Sequence, residues 1–100
     1  STDHSQLPEE YSLLQNYPNP FNPSTNIQYS LPNKSNVRIT IYDVISNKVK
    51  TLINQEQDAG YKSIVWDGTN GSGNRVSSGI YLYQIEAGDY FNLKQMVLLK

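Results

Sequence analysis

The residue types that perform acid–base, nucleophilic or metal chemistry are sparse in this chain. Cysteine is absent and His4 is the only histidine, so the sequence offers neither a thiolate nucleophile nor a multi-ligand histidine site. Four carboxylates, Asp43, Asp58, Asp67 and Asp89, fall at predicted turns, where an aspartate side chain accepts hydrogen bonds from nearby backbone N–H groups. We therefore predict no catalytic residue, no cofactor and no metal site, and we expect that the chain is not an enzyme.

Segment 67–74 is the one stretch that invites a calcium interpretation, because it combines oxygen-bearing side chains with three glycines. It lacks the alternating acidic positions and the terminal glutamate of an EF-hand loop. With a single carboxylate it would bind calcium weakly. The segment is better interpreted as a connection between strands.

The aromatic content, eight tyrosines and one tryptophan, raises the possibility of a sugar-binding surface. Tyr81 and Tyr83 are spaced by two, so they share one face of a strand and are predicted to pack in or near the core. Trp66 is predicted to be the core aromatic of a sandwich. Tyr42 and Tyr90 are the rings expected at the surface, and two rings alone do not make a platform.

Charge and size restrict the remaining function classes. The chain has 100 residues and a net charge of −1, with its basic residues scattered singly, which disfavours a nucleic-acid partner. The apolar run from Met96 to Leu99 is far too short to span a bilayer, so no transmembrane segment is predicted. Residues 1–10 are polar and aperiodic and are predicted to be a linker, with one domain over 11–100. No signal peptide is visible, which is expected if the chain is the end of a larger protein.

Strand signals recur about every ten residues. Segment 25–31 alternates apolar and polar side chains, and so does 37–42, as half-buried strands do. Further strands are predicted at 49–53, 61–66, 80–86 and 90–99, with a loop at 55–60. No helix is predicted. The pattern indicates an all-β protein of about seven strands, arranged as an antiparallel β-sandwich.

A proline-rich segment precedes these strands and reads Tyr17-Pro18-Asn19-Pro20-Phe21-Asn22-Pro23. Proline fixes its own φ and pushes the preceding residue towards extended geometry, so the segment is extended or turning and not helical. Phe21 and Tyr17 are expected to anchor it on the core. We predict a short edge strand that ends in this kinked segment.

Six motifs in order resemble a known family, the type A C-terminal sorting domains of the type IX (Por) secretion system. The motifs are the proline-rich segment, Val37-x-Ile39-x-Ile41-Tyr42-Asp43, Ala59-Gly60, Trp66-Asp67-Gly68, the stretch from Gly73 through Gly79, Tyr81 and Tyr83 to Gly88, and Lys94-x-Met96-x-Leu98-Leu99-Lys100. The later half also resembles the immunoglobulin-like domain of flagellar hook-capping proteins. One departure is Ser46-Asn47, where the sorting domains usually carry glycine. Asparagine tolerates left-handed geometry, so we expect the turn to persist.

The resemblance implies an immunoglobulin-like β-sandwich with a recognition function. Such domains follow an N-terminal cargo domain in the same chain, are read by an outer-membrane translocon and are removed by a surface peptidase. The protein would then be secreted, or held at the cell surface of a Gram-negative bacterium, after passing through the periplasm. The residues expected to carry the fold are Pro18, Asn19, Pro20, Phe21, Tyr42, Asp43, Trp66, Asp67, Gly68, Gly79, Tyr81 and Tyr83.

The last strand is the candidate for the residues that the translocon reads, namely Lys94, Met96, Val97, Leu98, Leu99 and Lys100. Met96 and Leu98 should face the core, which leaves Val97 and Leu99 on the opposite face. An apolar edge strand of this kind could be captured by strand addition to its free edge. The alternative is that these residues simply complete the sandwich.

Two other functions stay open at the level of sequence. One is a carbohydrate-binding or spacer module of a surface hydrolase, which polysaccharide titration would reveal. The other is a flagellar cap-like assembly domain, for which self-association at micromolar concentration is expected.

Overall fold

The computed structural model describes residues 7–99, so His4 and Lys100 lie outside the described residues. Within this range the chain forms seven strands: β1 (Ser12–Leu13), β2 (Thr25–Leu31), β3 (Ser35–Asp43), β4 (Lys48–Gln57), β5 (Gly60–Trp66), β6 (Gly79–Ala87) and β7 (Tyr90–Leu98). No helix in the described part of the chain is long and apolar enough to cross a membrane.

The strands form two sheets, one with the order β1-β2-β5 and the other with the order β4-β3-β6-β7. Each pair of neighbouring strands is antiparallel. The predicted antiparallel sandwich of seven strands is thereby confirmed. β1 and β7 are edge strands on one side of the sandwich, and β4 and β5 are edge strands on the other.

The core lies between the two sheets and is filled by alternate residues of each central strand, because successive side chains of a strand point to opposite faces. The buried apolar set is Leu13 from β1, Phe21 from the segment before β2, Ile27, Tyr29 and Leu31 from β2, Val37, Ile39 and Ile41 from β3, Trp66 from β5, Tyr81, Tyr83, Ile85 and Ala87 from β6, and Met96 and Leu98 from β7. The regular alternation in the sequence therefore marks the core-facing side of β2, β3 and β6 correctly.

β4 departs from the prediction. It runs to Gln57, so most of the predicted loop 55–60 is strand. Its pairing with β3 shifts register between Ile39 and Thr40 and again between Ile41 and Tyr42. Such irregularities break strict alternation, and β4 is an exposed edge strand with little apolar pattern. The sequence signal was therefore too weak to place its end.

The turn after β3 keeps its form without glycine. The residue with positive φ is Ser46, at 71°, and not Asn47. The Asp43 carboxylate accepts hydrogen bonds from the backbone N–H groups of Ile45, at 3.1 Å, and Asn47, at 2.9 Å. These bonds stabilise the turn where the left-handed residue carries a Cβ.

The residues just before β1 lie against the sandwich. Pro8 is buried, and the carbonyl of Glu10 accepts a hydrogen bond from Ser30 Oγ at 3.0 Å. The part of the predicted linker that is described, residues 7–10, thus contacts the domain.

Candidate functional site: the C-terminal strand and its cover

β7 presents two different faces. Met96 and Leu98 point into the core and are buried, opposite Tyr81 and Gly79 of β6. Lys94, on the same side and opposite Tyr83, is only half-buried. Lys100 lies outside the described residues. The C-terminal strand therefore contributes to the core as well as to the surface.

The free edge of β7 is covered at its C-terminal end by the proline-rich segment. The backbone N–H of Phe21 donates to the Val97 carbonyl, and the N–H of Leu99 donates to the Phe21 carbonyl, each at 2.9 Å. The side chain of Asn19 completes the contact, because its Oδ1 accepts a hydrogen bond from the Val97 N–H at 3.0 Å. The outward backbone groups of this end of the strand are thus already paired within the chain.

The backbone edge of β7 is also covered two residues before Val97, at Gln95. Gln15 Nε2 donates to the carbonyl of Gln95 at 2.8 Å. Strand addition needs unpaired N–H and C=O groups, and those at 95–99 are largely occupied. In the folded domain these backbone groups are therefore not free for strand addition, because the domain supplies its own pairing segment.

The proline-rich segment is held in place by aromatic packing. Phe21 is buried, and its ring lies 5.6 Å from that of Trp66, which in turn packs edge-on against Tyr81 at 5.3 Å. Trp66 Nε1 donates to the Thr69 carbonyl at 2.9 Å, so burial of the indole leaves no unpaired donor. The segment therefore belongs to the folded core.

A buried asparagine fixes the start of the same segment. Asn16 Nδ2 donates to Thr25 Oγ1 at 3.0 Å and to the Pro18 carbonyl at 3.2 Å. Its backbone N–H donates to Tyr83 Oη at 2.8 Å, and the Tyr83 hydroxyl donates to the Leu14 carbonyl at 2.8 Å. The role of Asn16 and the covering role of Asn19 were not predicted from the sequence. The one signal was position: Asn19 lies between Pro18 and Pro20, and Asn16 lies two residues before Pro18.

The opposite face of β7 carries a group of apolar side chains, here named the outer apolar patch. It consists of Ile80 and Leu82 of β6, with Leu93, Val97 and Leu99 of the C-terminal segment; Leu82 and Val97 are half-buried and the other three are exposed. Ile80 lies opposite Val97 in the register, and Leu82 lies opposite Gln95, next to Leu93 on the diagonal. Leu99 is 50% exposed and Leu93 is 43% exposed. Of the predicted recognition residues, Val97 and Leu99 belong to this patch, whereas Ile80, Leu82 and Leu93 were not predicted from the sequence.

Two further motif residues, Asp67 and Gly68, stabilise a turn and allow two backbone segments to lie close together. Asp67 Oδ1 accepts hydrogen bonds from the Thr69 hydroxyl at 2.6 Å and from its N–H at 3.2 Å. The Thr69 hydroxyl bond is the main cause that holds the pKa of Asp67 below its ordinary value of 3.8, and Lys50 adds to it. Gly68 has φ 79°, and a Cβ there would lie 3.1 Å from the Pro23 carbonyl oxygen. These contacts explain the residue types without any chemistry.

The exposed tyrosines are not those expected. Tyr42 and Tyr90 are half-buried, and Tyr90 stacks on Tyr11 with 5.3 Å between ring centroids. The expectation for these two rings was wrong: both are partly covered, and alternation alone does not reveal that Tyr11 packs on Tyr90. The exposed rings are Tyr17, at 79%, and Tyr61, at 71%.

Geometry for metal binding is lacking in the described part of the chain: residues 7–99 contain no group of three His, Cys, Asp or Glu side chains placed to hold an ion. A groove of about 680 Å³ crosses the end of the four-stranded sheet between Asn54, Arg38, Glu86 and Phe91. Arg38 and Glu86 form a solvent-exposed ion pair there. Since they lie directly opposite in the register of β3 and β6, the pair is a cross-strand contact.

This arrangement of two antiparallel sheets with seven strands defines an immunoglobulin-like β-sandwich domain. Residues 22–89 match the family model of the FlgD Ig-like domain. The chain belongs to that family.

Two solved structures from Porphyromonas gingivalis share the fold. Dimeric latent PorU is 21% identical with a TM-score of 0.72, over 87% of this chain and 9% of that protein. PorZ, described as an essential surface component of the type IX secretion system, is 17% identical with a TM-score of 0.61, over 86% of this chain and 11% of that protein. The chain thus spans about a tenth of either protein. A sequence search of curated proteins finds no match.

Proposed function

We propose that this chain is a non-catalytic, type A C-terminal sorting domain that directs a larger secreted or surface protein through the type IX outer-membrane translocon. Membership of the FlgD Ig-like family supports the domain class. The likeness of the fold to a part of PorZ, itself a component of that secretion system, supports the link to type IX secretion. The partners would be the translocon, a surface processing peptidase and an N-terminal cargo domain in the same chain. The protein would reach the outside of a Gram-negative cell through its periplasm.

The observation that carries the proposal is the outer apolar patch on the C-terminal strand. Contiguous exposed apolar side chains on a small domain are typical of an interaction surface. The backbone edge beside the patch is covered by Phe21 and Asn19, whereas the side chains of Leu93 and Leu99 are open to a partner. Recognition in the folded domain would therefore use the side chains on the face of β7.

Because β7 contributes side chains to the core, an export assay needs single substitutions and not a deletion of the strand. Deletion of residues 94–100 would remove Met96 and Leu98 from the core, so loss of export would not separate recognition from unfolding. Single substitutions on the outer apolar patch avoid this problem. Leu93→Asp and Leu99→Asp place a charge on the exposed face, and Val65→Asp, at an exposed position of the other sheet, is the matched control.

The test is a periplasm-directed fluorescent reporter with this chain at its C-terminus, in a bacterium with a working type IX system. We expect the reporter outside the cell with the intact chain and with Val65→Asp, and inside the periplasm with Leu93→Asp or Leu99→Asp. Circular dichroism of the purified variants checks that they fold. Export of both patch variants at the level of the intact chain would reject the patch, and retention of the intact chain would reject the sorting function in that host.

A further inference from the structure

The outer face of the three-stranded sheet carries an ordered array of uncharged side chains. Tyr17 pairs with Asn26, which lies opposite Val65. Two residues along, Gln28 lies opposite Ser63, and two further along, Ser30 lies opposite Tyr61. Six of these residues have exposed side chains, and together they are named the tyrosine face: Tyr17, Asn26, Gln28, Ser63, Val65 and Tyr61. It lies on the opposite side of the domain from the outer apolar patch.

The two rings mark opposite corners of this face. Tyr17 and Tyr61 are separated by four residues along β2 and by two strand spacings across the sheet, which places their backbones about 16 Å apart. The diagonal between them passes over Gln28. The tyrosine face is therefore an open strip with a ring at each end and carboxamide and hydroxyl groups between them.

The rings of Tyr17 and Tyr61 are not used by the fold. Tyr17 is held through its backbone, which exchanges hydrogen bonds of 3.0 Å and 2.8 Å with Asn26. The mostly exposed ring of each contrasts with the buried rings of Tyr29 and Tyr83. The apolar surfaces of these two rings lie on the same face of the sheet and are accessible to a ligand.

The chemistry of the tyrosine face selects the class of ligand. None of its six side chains is charged, and the charged groups that line a hollow with Tyr61 are the carboxylates Glu9 and Glu10. The face therefore offers nothing to neutralise a phosphate or a uronic acid. It comprises six residues, well below the roughly 20–30 residues per partner of a stable protein–protein interface. A neutral glycan chain matches both features, because its sugar rings have apolar C–H faces that stack on tyrosine and hydroxyl groups that bond with carboxamides.

We infer that the tyrosine face binds a neutral oligosaccharide chain, with Tyr17 and Tyr61 as stacking rings and with Asn26, Gln28 and Ser63 as hydrogen-bonding groups between them. This inference is independent of the sorting function, because the tyrosine face and the outer apolar patch lie on different sheets.

The test is a titration of the isotope-labelled chain with cellohexaose, laminarihexaose and chitohexaose, followed by amide chemical shifts. We expect at least one of these neutral oligosaccharides to shift the amides of β2 and β5. Tyr17→Ala or Tyr61→Ala should each weaken its binding about five- to tenfold, as loss of one stacking contact predicts. Phe91→Ala is the matched control, since Phe91 is an exposed ring on the other sheet that lines the groove at Arg38.

Several results would overturn the inference. These are the absence of shifts with all three oligosaccharides at millimolar concentration, unchanged affinity in the double variant of Tyr17 and Tyr61, and loss of binding in Phe91→Ala instead. Binding of alginate, an anionic polysaccharide, with the same affinity as the neutral oligosaccharides would also contradict the inference that the face prefers neutral ligands. If the chain self-associates with increasing concentration and Tyr17→Ala abolishes this association, the tyrosine face is a protein interface and the inference is rejected.

Discussion

Phe21 and Leu98 form a parallel β-bridge at the edge of a sheet in which the named strands are antiparallel. The bridge lies at the end of a short segment whose other end is bonded to the opposite sheet, where Tyr17 pairs with Asn26. Residues 17–21 therefore cross from one sheet to the other along the open side of the sandwich. They close that side and cover the edge that the C-terminal strand would otherwise expose, which is how small β domains avoid uncontrolled pairing.

Substitution of Phe21 tests whether this closure contributes to stability. Phe21→Ala removes a ring that is buried against Trp66, so the free energy of unfolding should fall by about 3–5 kcal/mol. Phe91→Ala removes an exposed ring and should change it by less than about 0.5 kcal/mol. Urea denaturation of both variants measures the difference. Equal stability of the two would contradict a core role for Phe21.

The bond from the Val97 N–H to Asn19 Oδ1 gives a local prediction. Asn19→Ala removes the acceptor and should cost about 0.5–1.5 kcal/mol, whereas Asn19→Asp keeps an acceptor oxygen. Hydrogen exchange of the Val97 amide is the direct readout, and it should become faster in the alanine variant while staying slow in the aspartate variant. Unchanged exchange in Asn19→Ala would show that this side chain does not protect the edge.

The sequence predicts the parts of the fold that depend on local pattern. Strict alternation in β2 and β3 identified their buried faces, and Trp66 was recognisable as a core aromatic. The end of β4 could not be predicted, because an edge strand with register shifts loses alternation. The cover over Val97 could not be predicted either, since it joins residues 78 positions apart through a side chain. Exposure of Tyr17 and Tyr61, and the stacking of Tyr90 on Tyr11, likewise depend on which strands become neighbours.

The Tyr83 hydroxyl joins the core to the start of the proline-rich segment, which gives a third stability test. It accepts from the Asn16 N–H and donates to the Leu14 carbonyl, so Tyr83→Phe leaves a buried backbone N–H without a partner. We expect a loss of about 1–3 kcal/mol. Tyr81→Phe is the control, because the Tyr81 hydroxyl bonds to the Ser77 carbonyl near the surface, and a loss of about 0.5–1.5 kcal/mol is expected. Guanidinium denaturation compares them, and an inverted order would refute the assignment.

Two buried tyrosines predict how stability responds to alkaline pH. Burial raises the pKa of Tyr29 and of Tyr83 above the usual value of 10.0, although the hydrogen bond that the Tyr83 hydroxyl accepts from the Asn16 N–H partly opposes this. The folded state therefore holds these protons more tightly than the unfolded state does. Their contribution to stability is complete below pH 10 and is lost as the pH rises from there through the folded-state values, by up to about 1.4 kcal/mol per pH unit for each tyrosine.

Denaturation midpoints measured from about pH 8 to about pH 11 test this response. The intact chain should lose stability above pH 10 more steeply than Tyr29→Phe, since phenylalanine has no proton to lose. Tyr61→Phe is the matched control, because it removes a hydroxyl from a ring that is mostly exposed. The denaturation midpoints of this variant should follow those of the intact chain across the pH range. Identical slopes for the intact chain and Tyr29→Phe would mean that burial of Tyr29 does not oppose its ionisation.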